Sequence, residues 1–535
     1  MRFSELIDGL AAGPSIPPRQ DPRDLHPRDP RERFDALGPR ARLDPRDPRE
    51  RFDALDPIIV GVTHDSRRVE PGDLYVALPG QRFDGWDFAA SAVAAGAVAV
   101  AGAPPREPAL ADALTVPWAP LADPRAGLAA LAARVYGHPD RELVMAGVTG
   151  TNGKTTVALL IAAMLEAAGL PAGFLGTLGH RFGEHAVAGR GGGYGHTTPE
   201  SSDLYRTLRE MRDAGARAAA MEVSSHALAM QRVAGAAFDV AVFTNLTRDH
   251  LDYHQDMESY FAAKRGLFAQ LKPGARAAIN AGDPYGRRLA AELPEALTFG
   301  EGSAVRASAV RLSTGGIAAR LETPRGALEI DSPLLGRYNL DNLLAAAAAA
   351  EALGLPHAAM ARGIAAGRRV PGRMEPVDRG QPFPVYVDYA HTGAALAAAL
   401  AAVREVAGGN RADPVKVAVV FGCGGERDPG KRSVMGRTAG ELADLPIVTS
   451  DNPRGEDPLA IMAAVEEGVK ASGNSRYRLV PDRREAIRAA LAAAGPGWAV
   501  LVAGKGHERE QIVGDRKLPF SDVEEIGRAL EELRG

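Results

Sequence analysis

The chain has 535 residues, 45% of them hydrophobic, with 63 Lys and Arg against 67 Asp and Glu for a net charge of −4. That length exceeds one hydrophobic core and predicts about three domains. The composition excludes a wholly disordered chain, and the near-balanced charge argues against a broad cationic face for nucleic acid or anionic lipid. The single cysteine, Cys423, cannot form an intrachain disulfide or a Cys/His metal cluster, which points to a reducing, cytosolic home.

The most apolar stretch, Ala89 to Ala103, is interrupted by Ser91, Gly96 and Gly102 and is shorter than the roughly 20 residues that span a bilayer. Glu5 and Asp8 stand where a signal peptide needs basic and then apolar character, so neither an export signal nor a membrane anchor is expected.

Residues 14–57 are rich in Pro, Arg and Asp, and the string RDPRERFDAL occurs at 28–37 and again at 46–55. Repeated prolines and charges bury too little surface to offset chain entropy, which predicts a duplicated, disordered insertion. From Ile58 onward short β-rich runs alternate with alanine-rich helical runs. Strands are predicted at 58–62, 74–77 and 98–101 with a helix at 88–95, giving a small α/β domain that ends near residue 138. A second block has strands at 143–148, 218–223 and 240–244 and helices at 154–168 and 340–353. Beyond Pro371, strands at 384–389, 415–421, 446–449, 477–480 and 499–503, separated by helices that include 458–469 and 483–494, predict a doubly wound third domain. The expected fold is α/β in three domains, 1–138, 139–370 and 371–535.

The strongest chemical signal is the run Gly147 to Thr156, GVTGTNGKTT, between a strand and a helix. Glycines let backbone N–H groups turn in around phosphate, Lys154 reaches the outer phosphates, and the Thr155 hydroxyl suits Mg²⁺. Nucleoside triphosphate binding follows, through a variant loop in which Val148 replaces the usual first glycine. Glu222 closes a strand, where an α/β sheet meets its ligand crevice, and is placed to hold Mg²⁺. Alone, such a Glu is a solvated loop residue. Thr244 to His254, TNLTRDHLDYH, concentrates carboxylate, imidazole and amide groups and suggests a second metal or phosphate contact, with His250 as the favoured ligand. By composition Lys264 reads as a surface helical lysine, and Asp451 to Arg454 as an Asn-Pro turn.

TGTNGKTT, HTTPE (196–200), EVSSHAL (222–228), TNLTRDHLDYH, GRYNLDNLLAA (336–346), VPGRMEPV (370–377), DYAHT (388–392), FGCGGERDPGKR (421–432), DNPR (451–454) and AGKGHE (503–508) occur in this order. Together they resemble the Mur ligase family over almost everything from Ile58 onward. The resemblance implies a three-domain architecture with a central P-loop-type ATPase domain and a C-terminal Rossmann-like domain. It implies that a carboxylate is joined to an amine at the expense of ATP. The γ-phosphoryl would pass to the D-Glu γ-carboxylate of UDP-MurNAc-L-Ala-D-Glu, and a diaminopimelate amine would attack the resulting acyl phosphate.

Carried over residue by residue, the resemblance assigns Gly150, Thr151, Asn152, Gly153, Lys154, Thr155 and Thr156, with Asn342, Arg373 and Asp388, to ATP. It assigns Thr155, Glu222, His250 and Lys264 to Mg²⁺, the last as a carbamate, and makes Lys154, Glu222, His250 and Lys264 the catalytic set. Ser66, with the Gly80 to Gly85 segment, Thr197, Thr198, Ser224 and Arg232 would bind the UDP-MurNAc-dipeptide. Some relatives place Gln two residues before that arginine, where this chain has Met230. The family's DYAHTP reads DYAHTG, with Gly393 expected to alter a turn only. DNPR resembles the family's signature for meso-diaminopimelate over L-lysine. Its extra carboxylate suits the guanidinium groups of Arg427 and Arg454. Asp451, Pro453, Asn452, Gly504 and Glu508 complete that site, the last three reading the distal ammonium.

A cytoplasmic monomer with small-molecule substrates is expected, without nucleic-acid or membrane partners, and a hinge near residue 370 is expected to close on ATP. Cys423 reads as a packing residue, with no nearby activating group. Folylpolyglutamate synthase shares the nucleotide loop and is the enzymatic rival, against which DSRRVEPGDLYVALPG and DNPR count. A non-catalytic scaffold and a nucleotide-switch ATPase are the alternatives from other classes.

Overall fold

The computed structural model describes residues 1–10, 56–80, 83–183, 185–187, 196–367, 370–408 and 414–533. All but the last two residues of the expected insertion, and Gln81 in the Gly80 to Gly85 segment, lie outside them. The helix Phe3–Ile7 buries Phe3, Leu6 and Ile7 in the first core. Ser4 bonds Asp56 through its backbone N–H (2.9 Å) and its hydroxyl (2.8 Å).

Strands Gly61–Thr63, Asp73–Ala77, Ala99–Gly102 and Trp118–Pro120 form a four-stranded parallel sheet in that order. Separate apolar clusters cover its two faces, one including Leu128 and Leu131 of the helix Pro124–Val135 and the other including Ala89 and Ala92. Burial on both faces explains why Asp73–Ala77 and Ala99–Gly102 read as apolar runs, whereas the strand expected at 58–62 instead runs Gly61–Thr63, with Ile58 and Val60 exposed.

The central sheet has eight strands in the order Leu297–Phe299, Leu271–Asn280, Phe238–Phe243, Val144–Thr149, Ala218–Glu222, Ala172–Gly176, Gly179–Phe182, His185–Ala186. All pair in parallel except the last two, which add antiparallel. One face carries the helices Lys154–Ala167, Arg337–Ala352 and His357–Ala366. The other carries Ser201–Asp213 and Met257–Arg265. Ala345 to Ala350 are all at most 1% exposed, so that helix is wedged between the sheet and a three-stranded antiparallel sheet, 306–332. Small side chains permit this close approach while keeping high helix propensity.

The third sheet runs Glu375–Pro376, Val385–Asp388, Trp498–Ala503, Lys416–Phe421, Leu445–Val448, Arg478–Leu479, all parallel but the first. The last strand in sequence is inserted between two earlier ones, so the strands ending at Asp388, Phe421 and Ala503 diverge around a crevice, the usual ligand position of a doubly wound sheet. The helix Gly393–Gly408 begins at the glycine that replaces proline. A Cβ there would lie 2.8 Å from Val434 Cγ1 of the neighbouring helix Gly430–Leu442, so Gly393 serves helix packing and not only a turn.

Beneath that crevice Arg483 and Asp522 form a fully buried pair, Nε to Oδ1 at 2.8 Å, and Arg483 also donates to the Ala503 carbonyl at 3.0 Å. The pair thus anchors the end of the strand from which the 504–508 loop departs. Asp522→Ala leaves a buried guanidinium uncompensated. It is expected to destabilise the protein by about 3–5 kcal/mol, read as a lower urea midpoint; an unchanged midpoint would show that the pair contributes nothing.

Candidate active site

The strand Val144–Thr149 delivers the phosphate loop, and the helix Lys154–Ala167 receives it at Gly153, which has φ +89°. A Cβ on Gly153 would meet Asn342 Oδ1 at 2.3 Å, and one on Gly150 would meet Thr244 Oγ1 at 1.9 Å. Neither position admits a side chain. The 244–247 segment clamps the loop from outside. Thr244 Oγ1 donates to the Asn152 carbonyl (2.6 Å), Asn152 N–H to Asn245 Oδ1 (2.9 Å), and Thr151 Oγ1 to the Thr247 carbonyl (3.2 Å). These threonines and Asn245 thus shape the phosphate cradle. The sequence reading had grouped them only with a metal or phosphate contact.

Lys154 Nζ folds over the loop and donates to the carbonyls of Gly150 and Thr151, both at 2.9 Å. Lys264, on the helix Met257–Arg265, is 1% exposed and donates to the same Gly150 carbonyl at 2.7 Å. Its ammonium also lies 4.5 Å from the centre of the Tyr260 ring. Burial, reinforced by the charge of Lys154, pushes the Lys264 amine well below the ordinary lysine range. The surface lysine suggested by composition is instead a buried one at the loop.

Glu222 ends its strand buried, held by the Thr177 backbone N–H (2.8 Å) and hydroxyl. Burial pushes His250 down to about 3, against the opposing pull of Asp249, so its imidazole is neutral near pH 7 with a lone pair to give. His250 packs edge-on to His226, with ring centres 4.8 Å apart. Burial opposes ionisation of Asp249. The hydrogen bond and charge of His391, with His250 and Lys431, outweigh it and hold that carboxyl well below its usual range. Among the described residues no three His, Cys, Asp or Glu side chains converge as a metal site. The donors at the loop still fit Mg²⁺ if the Glu222 carboxylate is joined by the Thr155 hydroxyl, His250 and an oxygen carried on Lys264.

Across the loop, Asn342 is 7% exposed and bonded to Asn339 (2.9 Å). Asp388 accepts from the Met374 N–H (2.8 Å) and the Tyr338 hydroxyl (3.1 Å), and Arg373 stacks 4.7 Å from the centre of the Tyr389 ring. Tyr338, Asn342, Arg373 and Asp388 wall a cleft of about 250 Å³ with Asn152, Gly153 and Thr156. Of the residues the sequence reading assigned to the nucleotide, Asn152, Gly153, Thr156, Asn342, Arg373 and Asp388 line this one cavity, whereas Gly150, Thr151, Lys154 and Thr155 are not among its walls.

Toward the first sheet, Thr198 Oγ1 donates to the Glu222 carbonyl (2.9 Å) and accepts from Ser224 N–H (3.0 Å). Arg232 donates to the Thr198 carbonyl (3.2 Å), with Nε 3.4 Å from Glu200. Arg232 also lies 3.4 Å from the Met230 sulfur, while Gln231, at φ 57°, turns its amide to Asp123 (2.8 Å). Thr197 is half-buried beside Thr198, and Ser66 opens the turn Ser66–Arg68, whose Arg68 lies 3.5 Å from Asp203 of the central sheet's helix. A second cleft of about 550 Å³ is bounded by Gly80, Arg125, His226, Tyr253 and Arg427, one or more from each sheet unit.

At the third sheet, Asn452 Oδ1 accepts from Lys505 Nζ (2.9 Å) and from Ile512 N–H (3.0 Å), and Asn452 Nδ2 donates to Glu508 Oε2 (2.9 Å). Both lone pairs of that carbonyl are engaged. Asn452 therefore offers an N–H, suited to a carboxylate, and not an acceptor for the distal ammonium as the sequence reading had it. Gly504, at φ +114°, lies beside Asp451, where a Cβ would sit 3.3 Å from Oδ2. Arg454 is held by backbone pairing to the hairpin strand Glu510–Val513, and Nη1 donates to the Gly425 carbonyl at 2.7 Å. Pro453 is buried just before it. Burial, then the neighbouring charge of Arg427, lowers the Arg454 guanidinium below its ordinary range.

Sequence reasoning missed Thr177, Asp249, His391 and Lys505 as site residues. The last three lay within recognised motifs, whereas Thr177 carries no local signal. His391 Nε2 lies 3.5 Å from Asp249 and Arg248 Nε 3.2 Å from Asp428, joining the central unit to the third.

The chain matches the Mur ligase middle domain over residues 148–350, the Mur ligase glutamate ligase domain over 372–506, and the Mur ligase family catalytic domain over 58–136. It is 46% identical over 498 residues to a UDP-N-acetylmuramoyl-L-alanyl-D-glutamate–2,6-diaminopimelate ligase of Geobacter metallireducens, covering 89% of this chain and 94% of that one. A solved structure of a ligase of that name is 33% identical with a TM-score of 0.60, covering 89% and 96%. A MurF ligase from Thermotoga maritima in complex with ADP shares the fold at 20% identity and a TM-score of 0.61, covering 89% and 98%.

Gly150→Ala drives a methyl group into Thr244 and opens the clamp. It is expected to weaken ADP binding about tenfold or more, the order of one or two lost charged hydrogen bonds. Calorimetric titration measures this, and wild-type affinity would remove the loop from nucleotide binding.

Proposed function

The chain belongs to the Mur ligase family, and from that premise we propose that it joins meso-2,6-diaminopimelate to the D-Glu γ-carboxylate of UDP-MurNAc-L-Ala-D-Glu, at the expense of ATP, in peptidoglycan precursor synthesis. The observation that carries the choice of amino acid is the pair Arg427 and Arg454 beside Asn452 and Glu508. Two guanidinium groups and an amide N–H suit a carboxylate, and Glu508 suits an ammonium, which together describe the far end of diaminopimelate. Lysine lacks the carboxylate and would leave the arginines unpaired. The relative's 46% identity also favours this activity over folate-tail ligation or a scaffold.

In this reading the first unit, 1–138, holds the uridine diphosphate end at Ser66. The central unit, 139–370, holds ATP and the dipeptide arm through Thr197, Thr198, Ser224 and Arg232. The third unit, 371–535, holds the amino acid. Phosphoryl transfer between two anions needs alignment and positive charge more than a protein nucleophile. The loop N–H groups and Lys154 orient the γ-phosphoryl, and Arg232 draws in the dipeptide's carboxylates. Mg²⁺, held by Thr155, Glu222, His250 and a carbamate on Lys264, would neutralise the phosphate charge as the carboxylate approaches. The bond from the γ-phosphorus to the ADP oxygen breaks as one forms to the γ-carboxylate oxygen. Diaminopimelate nitrogen then attacks the acyl carbon, loses a proton, and phosphate departs with the acyl oxygen.

Two lysines donating to the Gly150 carbonyl support the carbamate. A neutral Lys264 amine adds CO₂ and releases one proton, giving an anion that attracts Lys154 where a protonated Lys264 would repel it. We place the enzyme in the cytoplasm, where ATP is made, as a monomer, because one chain supplies every wall of both clefts. No described helix is long and apolar enough to cross a membrane.

Ligation of UDP-MurNAc-dipeptide with a panel of diamino acids, read by product mass, is expected to give the diaminopimelate adduct for wild type. Arg454→Ala is expected to lose about 10- to 100-fold in kcat/KM for diaminopimelate, with that for L-lysine unchanged. Equal use of both by wild type would sink the assignment. Lys264→Ala is expected to lose most activity and regain part of it when a short carboxylate is added; full activity without additive would remove the carbamate.

A further inference from the structure

Lys505 is a fully buried cation with 0% exposure, on the loop that leaves the strand Trp498–Ala503. Gly504 at φ +114° and Gly506 at φ +55° turn this loop so that its lysine points inward and not to solvent. Its ammonium donates to Asn452 Oδ1 and to Glu508 Oε2, both at 2.9 Å, and stands 3.6 Å from Asp451 Oδ1. Asn452 Nδ2 closes the triangle on the same Glu508 oxygen. The phosphate chemistry uses none of these contacts.

We propose that Lys505 is a positioning residue that presets Asn452 and Glu508 for the zwitterionic far end of the incoming amino acid. The proposal rests on the ligase reading above. An ammonium is a donor only, so it selects the carbonyl end of the Asn452 amide and, with Ile512 N–H, fixes which way that amide faces. The remaining Nδ2 hydrogen is thereby directed toward a carboxylate. A reversed amide would meet that carboxylate with its oxygen and repel it.

Lys505 acts on Glu508 in the same way. The Lys505 and Asn452 bonds both fall on Oε2, and the Glu508 side chain stays 31% exposed, so Oε1 is left for the ligand's ammonium. The charge of Lys505 also offsets the neighbouring carboxylates of Asp451 and Glu508, which would otherwise repel each other.

Steady-state kinetics of Lys505→Met and Lys505→Arg, beside wild type, test this. Methionine keeps the aliphatic stem and removes the ammonium; arginine keeps the charge but its planar fork cannot reproduce the three contacts. The KM for diaminopimelate is expected to rise about tenfold or more in Lys505→Met and by less in Lys505→Arg. The KM values for ATP and UDP-MurNAc-dipeptide should stay within about twofold. A diaminopimelate KM like wild type's in either soluble variant overturns the proposal, as does a parallel rise in all three KM values, which marks a merely structural lysine. If Lys505→Met does not fold, Lys505→Arg decides on the same criterion. Should wild type itself fail to ligate diaminopimelate, the ligase reading falls and takes this one with it; ligating wild type with unaltered variants removes Lys505 alone.

Discussion

Two side-chain amines, the half-buried Lys154 and the buried Lys264, converge on one peptide oxygen, that of Gly150. Like charges so close in a medium of low polarity are not tolerated unless one is neutralised or its sign reversed. That constraint organises the centre of the molecule. The charge of Glu222, at the end of its strand, acts in favour of the Lys154 cation, and Thr244, Asn245 and Thr247 strap the loop down instead of leaving it to wrap around its ligand. A rigid cradle sets donors in advance, so little reorganisation is required as charge moves from one anion to another.

The second determinant is the inserted strand Trp498–Ala503. By separating Val385–Asp388 from Lys416–Phe421 it opens the third sheet where the Asp388, Gly424 and Gly504 loops emerge. Asp388 then faces the cleft beside the phosphate loop, while the loops at Gly424 and Gly504 form the pocket proposed for the amino acid. One topological feature would thus serve both proposed substrates, and the buried Arg483–Asp522 pair holds the strand's end.

Much of this was legible in the sequence, for physical reasons. Strands buried on both faces write themselves as apolar runs, so Val144–Thr149, Ala218–Glu222 and Trp498–Ala503 were found to within a residue or two. The phosphate loop was legible because its glycines answer to steric demands at Gly150 and Gly153 that no other residue meets. The antiparallel sheet 306–332 went unseen, since its strand Arg306–Ser313 alternates weakly and carries charge. The strand Leu271–Asn280 also went unseen, since Lys272, Pro273 and Gly274 near its start break any apolar run. At the site, the lysine of the nucleotide loop was plain, but the burial of Lys264 and Lys505 depends on partners 114 and 53 positions away. The facing of the Asn452 amide likewise follows from Lys505 and Ile512, which residue type alone does not reveal.

Cys423 lies beneath the glycine-rich turn after Lys416–Phe421, 3% exposed, its sulfur 3.5 Å from that of Met435. Burial pushes its thiol up to about 12, so the nucleophilic thiolate is scarce at neutral pH. Since the chain holds no other sulfhydryl, a cysteine engineered at any exposed position would stand alone toward maleimide or iodoacetamide. Fluorophores or spin labels could then be attached in pairs across the sheet units without first stripping the native protein of a competing thiol.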